Sequence, residues 1–190
     1  MEAFEEYLQN FPHYTTHSFD LARPFLSRRT LRPGDFFLQH GQICRSIAFI
    51  EEGLLRLYYL HDGKEVTNCF CTERTITTSY KSLIIQQVSD IAIQAIEESR
   101  LLVLSYEALQ KLYQADLFWQ QMGRLASENE YITIEQHNRF IRDLSATERY
   151  LSIVEKEPEL LQRVPLNYLA TYLQIAPETL SRIRNKIART

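Results

Sequence analysis

Apolar residues change their rhythm once along this chain. Between residues 30 and 65, Gly34, Gly41, Gly53 and Gly63 interrupt short apolar runs such as Ser46-Ile47-Ala48-Phe49-Ile50 and Leu54-Leu55-Arg56-Leu57-Tyr58-Tyr59-Leu60. Val66-Thr67-Asn68-Cys69-Phe70 continues the series. Aromatic and β-branched runs separated by turns at about ten-residue spacing predict an all-β sandwich or barrel. His61-Asp62-Gly63-Lys64 predicts a tight hairpin, because Asp-Gly tolerates the positive φ of such turns. Residues 90–96 and 100–104 suit return strands.

From Ser105 onward the helical period takes over. Ser105 can cap a helix, and the pattern runs to about residue 141, broken only by Gly123 and by a bend near Ala115-Asp116. Phe118, Met122, Leu125, Asn129 and Ile132 alternate at spacings of four and three, a stripe narrow enough for a seam between two helices. Packing of that stripe on the chain's own sandwich is the alternative. Asn129 is then either a register-setting polar residue or an exposed one. Ser145-Ala146-Thr147-Glu148 predicts a capping box, opening a helix that Pro158 ends or offsets.

Beyond Val164-Pro165 two short helices are expected, at 166–173 and from Pro177 to about 189, with only Gln174-Ile175-Ala176 between them. Pro177 suits a first helical position and keeps Ala176 out of helical conformation. Two short helices joined by a short turn form the helix-turn-helix arrangement, whose second helix can enter the DNA major groove. At 100° per residue, Leu180, Ile183 and Ile187 share one side, where Leu166, Leu169 and Leu173 can meet them. Glu178, Ser181, Arg182, Asn185 and Arg189 share the other, flanked by Arg184 and Lys186. Glu accepts from cytosine, Arg pairs with guanine and Asn with adenine, while Thr179 and the free N–H groups at the helix start near Pro177 suit phosphates. Any amphipathic surface helix that only packs on its own domain also turns polar residues outward.

Composition is that of an ordinary globular protein: 190 residues, 45% hydrophobic and 24% charged. Length favours one domain, or a medium domain plus a small one, and no apolar run suits a membrane span. The N-terminus is acidic where an export signal is basic, and three cysteines without such a signal point to free thiols in a reducing cytoplasm. The net charge of -3 conceals opposite halves: residues 1–138 hold 12 Lys/Arg against 18 Asp/Glu, and residues 139–190 hold 9 against 6. Positive charge is concentrated at the C-terminal end.

The front half carries Leu31-Arg32-Pro33-Gly34-Asp35, Gly41-Gln42, Phe49-Ile50-Glu51-Glu52-Gly53 and Asp62-Gly63-Lys64-Glu65, which resemble the successive turns of the cyclic-nucleotide-binding jelly roll. Pro177-Glu178-Thr179-Leu180-Ser181-Arg182 resembles the recognition-helix motif of the Crp/Fnr family of bacterial transcription regulators. Together the two sets cover nearly the whole chain. The resemblance implies an α+β protein: an N-terminal double-stranded β-helix (jelly roll) sensor over 1–114, a long dimerisation helix over 115–141, and a C-terminal helix-turn-helix domain over 142–190. It implies a homodimer on double-stranded DNA, with RNA polymerase and an unidentified small-molecule effector as candidate partners, and no enzymatic activity. A ligand-sensing or protein-interaction module without direct DNA binding is the alternative.

Departures from the family pattern refine these expectations. Cyclic-nucleotide binders carry a Gly-Glu pair and an Arg that neutralises the phosphate; here Ser89 and Asp90 fall near the expected Arg and Ser, and an acid there repels a phosphate. Cyclic nucleotide is therefore not expected, and Arg74, Tyr80, Lys81, Ser89 and Asp90 are the residues that a different effector would meet. Iron–sulfur sensing needs four thiolates, whereas Cys44, Cys69 and Cys71 are three. His13 and His17 have a helical metal-ligand spacing in a segment poor for helix, and His40 and His61 stand alone, so neither a metal site nor a cupin-type enzyme is expected. Gln174 stands where the family has glycine, and little sequence separates Pro158 from Leu166, so a shortened or absent wing is expected.

Overall fold

The structure, a computed structural model, describes residues 1–187. Among these residues eight strands form two four-stranded sheets. β1 (Ser27–Leu31), β3 (Ser46–Glu52), β6 (Ile76–Thr77) and β8 (Ser99–Ser105) make one, in the order β1-β8-β3-β6. β2 (Phe36–Leu38), β4 (Leu55–His61), β5 (Lys64–Cys71) and β7 (Ile91–Ala95) make the other, in the order β2-β7-β4-β5. Non-consecutive neighbours in both sheets identify a β-sandwich with long crossovers, and β3 pairs antiparallel with β8 from Ser46↔Ser105 to Glu52↔Arg100. Ile47, Phe49, Leu55, Leu57, Ile93, Leu101 and Leu102 are buried. Near-continuous apolar runs in β3 and β4 thus reflect strands covered on both faces.

Two turns show why particular residues are required. Asp62 and Gly63 take φ values of 51° and 74°, the paired left-handed geometry that closes a two-residue hairpin between β4 and β5. Gly53, at φ 105°, brings the β3–β4 turn so close to the start of β8 that a Cβ there would lie 2.3 Å from Ser99 Oγ and 2.6 Å from Ser99 Cα.

Helices account for the rest. α1 (Glu2–Gln9) and α2 (Thr16–Ala22), which periodicity does not single out, close the sandwich's end: Phe4 packs on Phe49 with ring centroids 5.1 Å apart and on Phe19 at 6.5 Å. α3 (Tyr80–Ile85) lies in the crossover between the sheets. Ser105 caps α4 (Tyr106–Ala115) by accepting from Ala108 N–H, and Asp116 breaks the pattern before α5 (Leu117–Asp143), as the bend near Ala115-Asp116 anticipates. Gly123, in contrast, does not interrupt α5.

The chain clusters into two compact units, residues 1–57 with 70–128 and residues 58–69 with 129–190. In the second, the expected capping box at Ser145 and Glu148 opens α6 (Ala146–Lys156), followed by a helical turn, α7 (Leu160–Arg163), then α8 (Leu166–Tyr172) and α9 (Pro177–Ile187). Tyr150, Ile153, Leu160, Val164, Leu169, Leu173, Leu180 and Ile183 form its buried core. Among the described residues no strand follows Ser105, and no helix is long and apolar enough to cross a membrane.

Candidate nucleic-acid interface

α9 divides by burial as its periodicity predicts. Leu180 and Ile183 are buried, while Pro177, Glu178, Arg182, Arg184, Asn185 and Lys186 are exposed and Thr179 and Ser181 are half-buried at its edge. Arg182 donates to Thr179 Oγ1 at 3.1 Å, which draws its guanidinium back along the first turn. The first turn holds the acid Glu178 and the last turn holds Arg184 and Lys186, both favourable to the helix dipole. Arg189 lies outside the described residues.

The turn into α9 accommodates a residue that sequence marks as a departure. Gln174 adopts φ 52°; its N–H donates to Thr171 O at 3.0 Å, and the N–H of Ile175 donates to Ala170 O at 3.0 Å. This is the Schellman pattern with glutamine in the left-handed position usually held by glycine, at a steric cost of about 1 kcal/mol. Leu173, fully buried beside it, anchors the turn.

A contact with no local signal ties the hairpin tip to α8. Thr67, buried in β5, donates its N–H to Thr171 Oγ1 at 3.2 Å, and the two hydroxyl oxygens lie 2.9 Å apart, although 104 residues separate them. Nearby, the rings of His137, Phe140 and Tyr172 cluster with centroids 5.5 to 6.1 Å apart. Burial lowers the His137 pKa and pushes that of the Tyr172 hydroxyl far up.

Of the residues expected to meet an effector, Lys81, Ser89 and Asp90 are brought together by the Lys81–Asp90 ion pair, whereas Arg74 is held elsewhere by Glu6. Ser89 is buried, its hydroxyl 2.9 Å from Ser79 Oγ and donating to Ile91 O at 2.8 Å. Lys81 Nζ pairs with Asp90 at 2.9 Å on the surface, a bond that holds the Asp90 carboxyl below its ordinary range. Arg74, at φ 62° in the turn before β6, pairs instead with Glu6 at 3.1 Å. Tyr80 lines a cavity with residues of α4 and α5. The Ser89 hydroxyl is thus a neutral group already engaged within the chain.

The α5 stripe is divided. Phe118 and Met122 are buried in their own unit, Phe118 packing edge-on against Tyr14 and Trp119 at 5.7 and 5.6 Å. The first turns of α5 complete the sandwich core. Leu125 is half-buried and Asn129 exposed; Ile132 is 51% exposed, alongside Tyr131 and Ile134. Among the described residues no group of three or more His, Cys, Asp or Glu side chains could hold a metal ion.

Residues 28–116 match the family model of the cyclic nucleotide-binding domain. Solved structures share the fold over most of the chain. FixK2 from Bradyrhizobium japonicum is 16% identical with a TM-score of 0.74, covering 86% of this chain and 85% of that one. CLP, the c-di-GMP responsive global regulator of Xanthomonas campestris, is 19% identical with a TM-score of 0.70 and 92% of both chains covered. A Eubacterium rectale protein described as a transcriptional regulator of the Crp/Fnr family is 18% identical with a TM-score of 0.73, covering 94% of this chain and 87% of that one. The fold is thus that of Crp/Fnr-type transcriptional regulators. No curated protein matches the sequence.

Proposed function

We propose that this protein is a homodimeric, sequence-specific DNA-binding transcription regulator of the Crp/Fnr type, acting in the cytoplasm, whose sensor domain does not respond to cyclic nucleotide. The observation that carries this reading is the exposed polar face of α9 over a buried Leu180 and Ile183. In the helix-turn-helix reading of α8 and α9, Glu178 and Arg182 read base edges, assisted by Ser181 and Asn185. Thr179, Arg184 and Lys186 hold the backbone phosphates, with the N-terminal turn at Pro177 against the duplex. The engaged hydroxyl of Ser89 and the acid Asp90 support the exclusion of cyclic nucleotide. Leu125, Asn129 and Ile132, joined by Tyr131 and Ile134, offer α5 a partner helix, because exposed large apolar side chains on a helix are relieved by a second copy.

The test is selection of bound sequences from a random duplex library. Two-fold related half-sites spaced by one helical turn, about 34 Å, are expected. Affinity should fall steeply with salt. Absence of enrichment, or binding insensitive to salt, would instead favour a ligand-sensing or partner-docking module.

A further inference from the structure

A cavity of about 380 Å³ opens among α3, α4 and the first three turns of α5, entirely within the sandwich unit. Its volume lies in the range of small-molecule sites. Ile47, Leu83, Leu109 and Met122 line it, with Ile84 62% exposed beside them. The polar side chains around it are largely engaged with their own chain. Gln120 donates to Tyr113 O at 2.6 Å, Ser127 donates to Gly123 O at 2.9 Å, and Arg124 pairs with Glu128. Three phenols, Tyr80, Tyr106 and Tyr113, together with Gln110, complete the polar lining, and burial raises the Tyr113 pKa, so its hydroxyl stays protonated at neutral pH.

Gly123 belongs to the same construction. Glycine is unfavourable inside a helix, yet a Cβ at this position would lie 2.5 Å from Tyr113 Oη and 2.8 Å from Tyr113 Cζ. The missing side chain lets the Tyr113 ring lie against α5 and wall the cavity.

We propose that this cavity binds a small, uncharged, mostly apolar molecule, an aromatic or alicyclic body of about naphthalene size carrying one or two hydrogen-bonding groups. Apolar walls favour such a body, the tyrosine hydroxyls orient it, and a net charge would find its counter-ion in Arg124 already paired. The occupant would touch α3, α4 and α5 at once, bearing on the helix that presents Tyr131, Ile132 and Ile134. Its role as an effector of DNA binding rests on the regulator reading above; the binding itself does not.

The experiment titrates the full chain with N-phenyl-1-naphthylamine, an uncharged fluorescent probe, and follows energy transfer from Trp119, the single tryptophan, one residue before the cavity-lining Gln120. One saturable site per chain is expected. Ala126→Phe, which fills the cavity, and Ile84→Glu, which places a charge in it, should each weaken binding at least tenfold. Ile85→Glu, on the same helix but outside the lining, should leave it unchanged. Ile84 is exposed, so its variant remains informative even where Ala126→Phe fails to fold. Non-saturable binding, equal loss in the Ile84 and Ile85 variants, or loss of the site as rising protein concentration drives association would overturn the proposal. The last outcome would mean that a second copy covers the cavity. Saturable binding by a chain that selects no DNA would leave the cavity assignment standing and sink the regulator reading alone.

Discussion

Arg182→Ala separates base reading from simple charge attraction. Arg182 is exposed, and its bond within the chain is the 3.1 Å contact to Thr179 Oγ1. Alanine is at least as good a helix former, so the change in folding stability should stay within about 0.5 kcal/mol, roughly 1–2 °C in melting temperature. Its effect on DNA binding should be far larger. A paired Arg–guanine contact is worth about 1–3 kcal/mol, and a dimer makes it twice, giving roughly 2–6 kcal/mol and a loss of about 30-fold to 10⁴-fold in affinity. Fluorescence anisotropy on the selected duplex, and on variants of each half-site position, reads both magnitude and preference. Preference should relax at one base pair per half-site. A phosphate contact behaves differently: Lys186→Ala should weaken all sequences alike and reduce the salt slope by about 1 per copy. If Arg182→Ala kept full affinity, or lost it uniformly across sequences with a shallower salt slope, the base-reading role would be refuted.

Three further outcomes are expected. Gly53→Ala should cost about 3–5 kcal/mol in urea unfolding, because the new Cβ meets Ser99 backbone at 2.6 Å in a conformation at φ 105° that side chains rarely adopt. Ser145→Ala should cost about 1 kcal/mol through loss of the α6 cap. Its hydroxyl, followed by its backbone N–H, holds the Glu148 carboxyl below its ordinary value. That contribution is present above about pH 4.5 and lost as pH falls through the lowered pKa, so the variant should show a shallower acid limb there. His137 is held neutral by burial below its ordinary 6.5, so the unfolded chain binds more protons and stability falls as pH drops from 6.5 toward the lowered value. Replacing it with Phe should flatten thermal melts between pH 7 and 5.5. Burial raises Glu130 and Glu157, which act with opposite sign in a window beginning near 4.5; an unchanged pH profile would refute the assignment to His137.

Local codes were legible before any tertiary structure. Asp62-Gly63 announced the hairpin and both residues take positive φ; Ser105 and Ser145 announced helix starts and both accept the expected capping bonds. The break at Asp116 and the α9 start at Pro177 follow from the same short-range chemistry. Less legible were α1 and α2, each too short for periodicity to stand out, and α3, six residues within a crossover. Along α5 the apolar stripe carries no mark of which surface covers each member: Phe118 and Met122 are buried within the chain and Ile132 is exposed.

By itself the sequence determined the sandwich-then-helices order, the hairpin and capping positions, and the sorting of α9 into an apolar and a polar side. These depend on interactions within a few residues, where φ preferences, capping atoms and helical spacing act directly. Tertiary structure decided which strands became neighbours, that Phe118 and Met122 are buried within the chain, that Thr67 meets Thr171, and that Ser89 meets Ser79. Such outcomes depend on burying apolar area and satisfying buried polar groups across long sequence separations, which no local window contains.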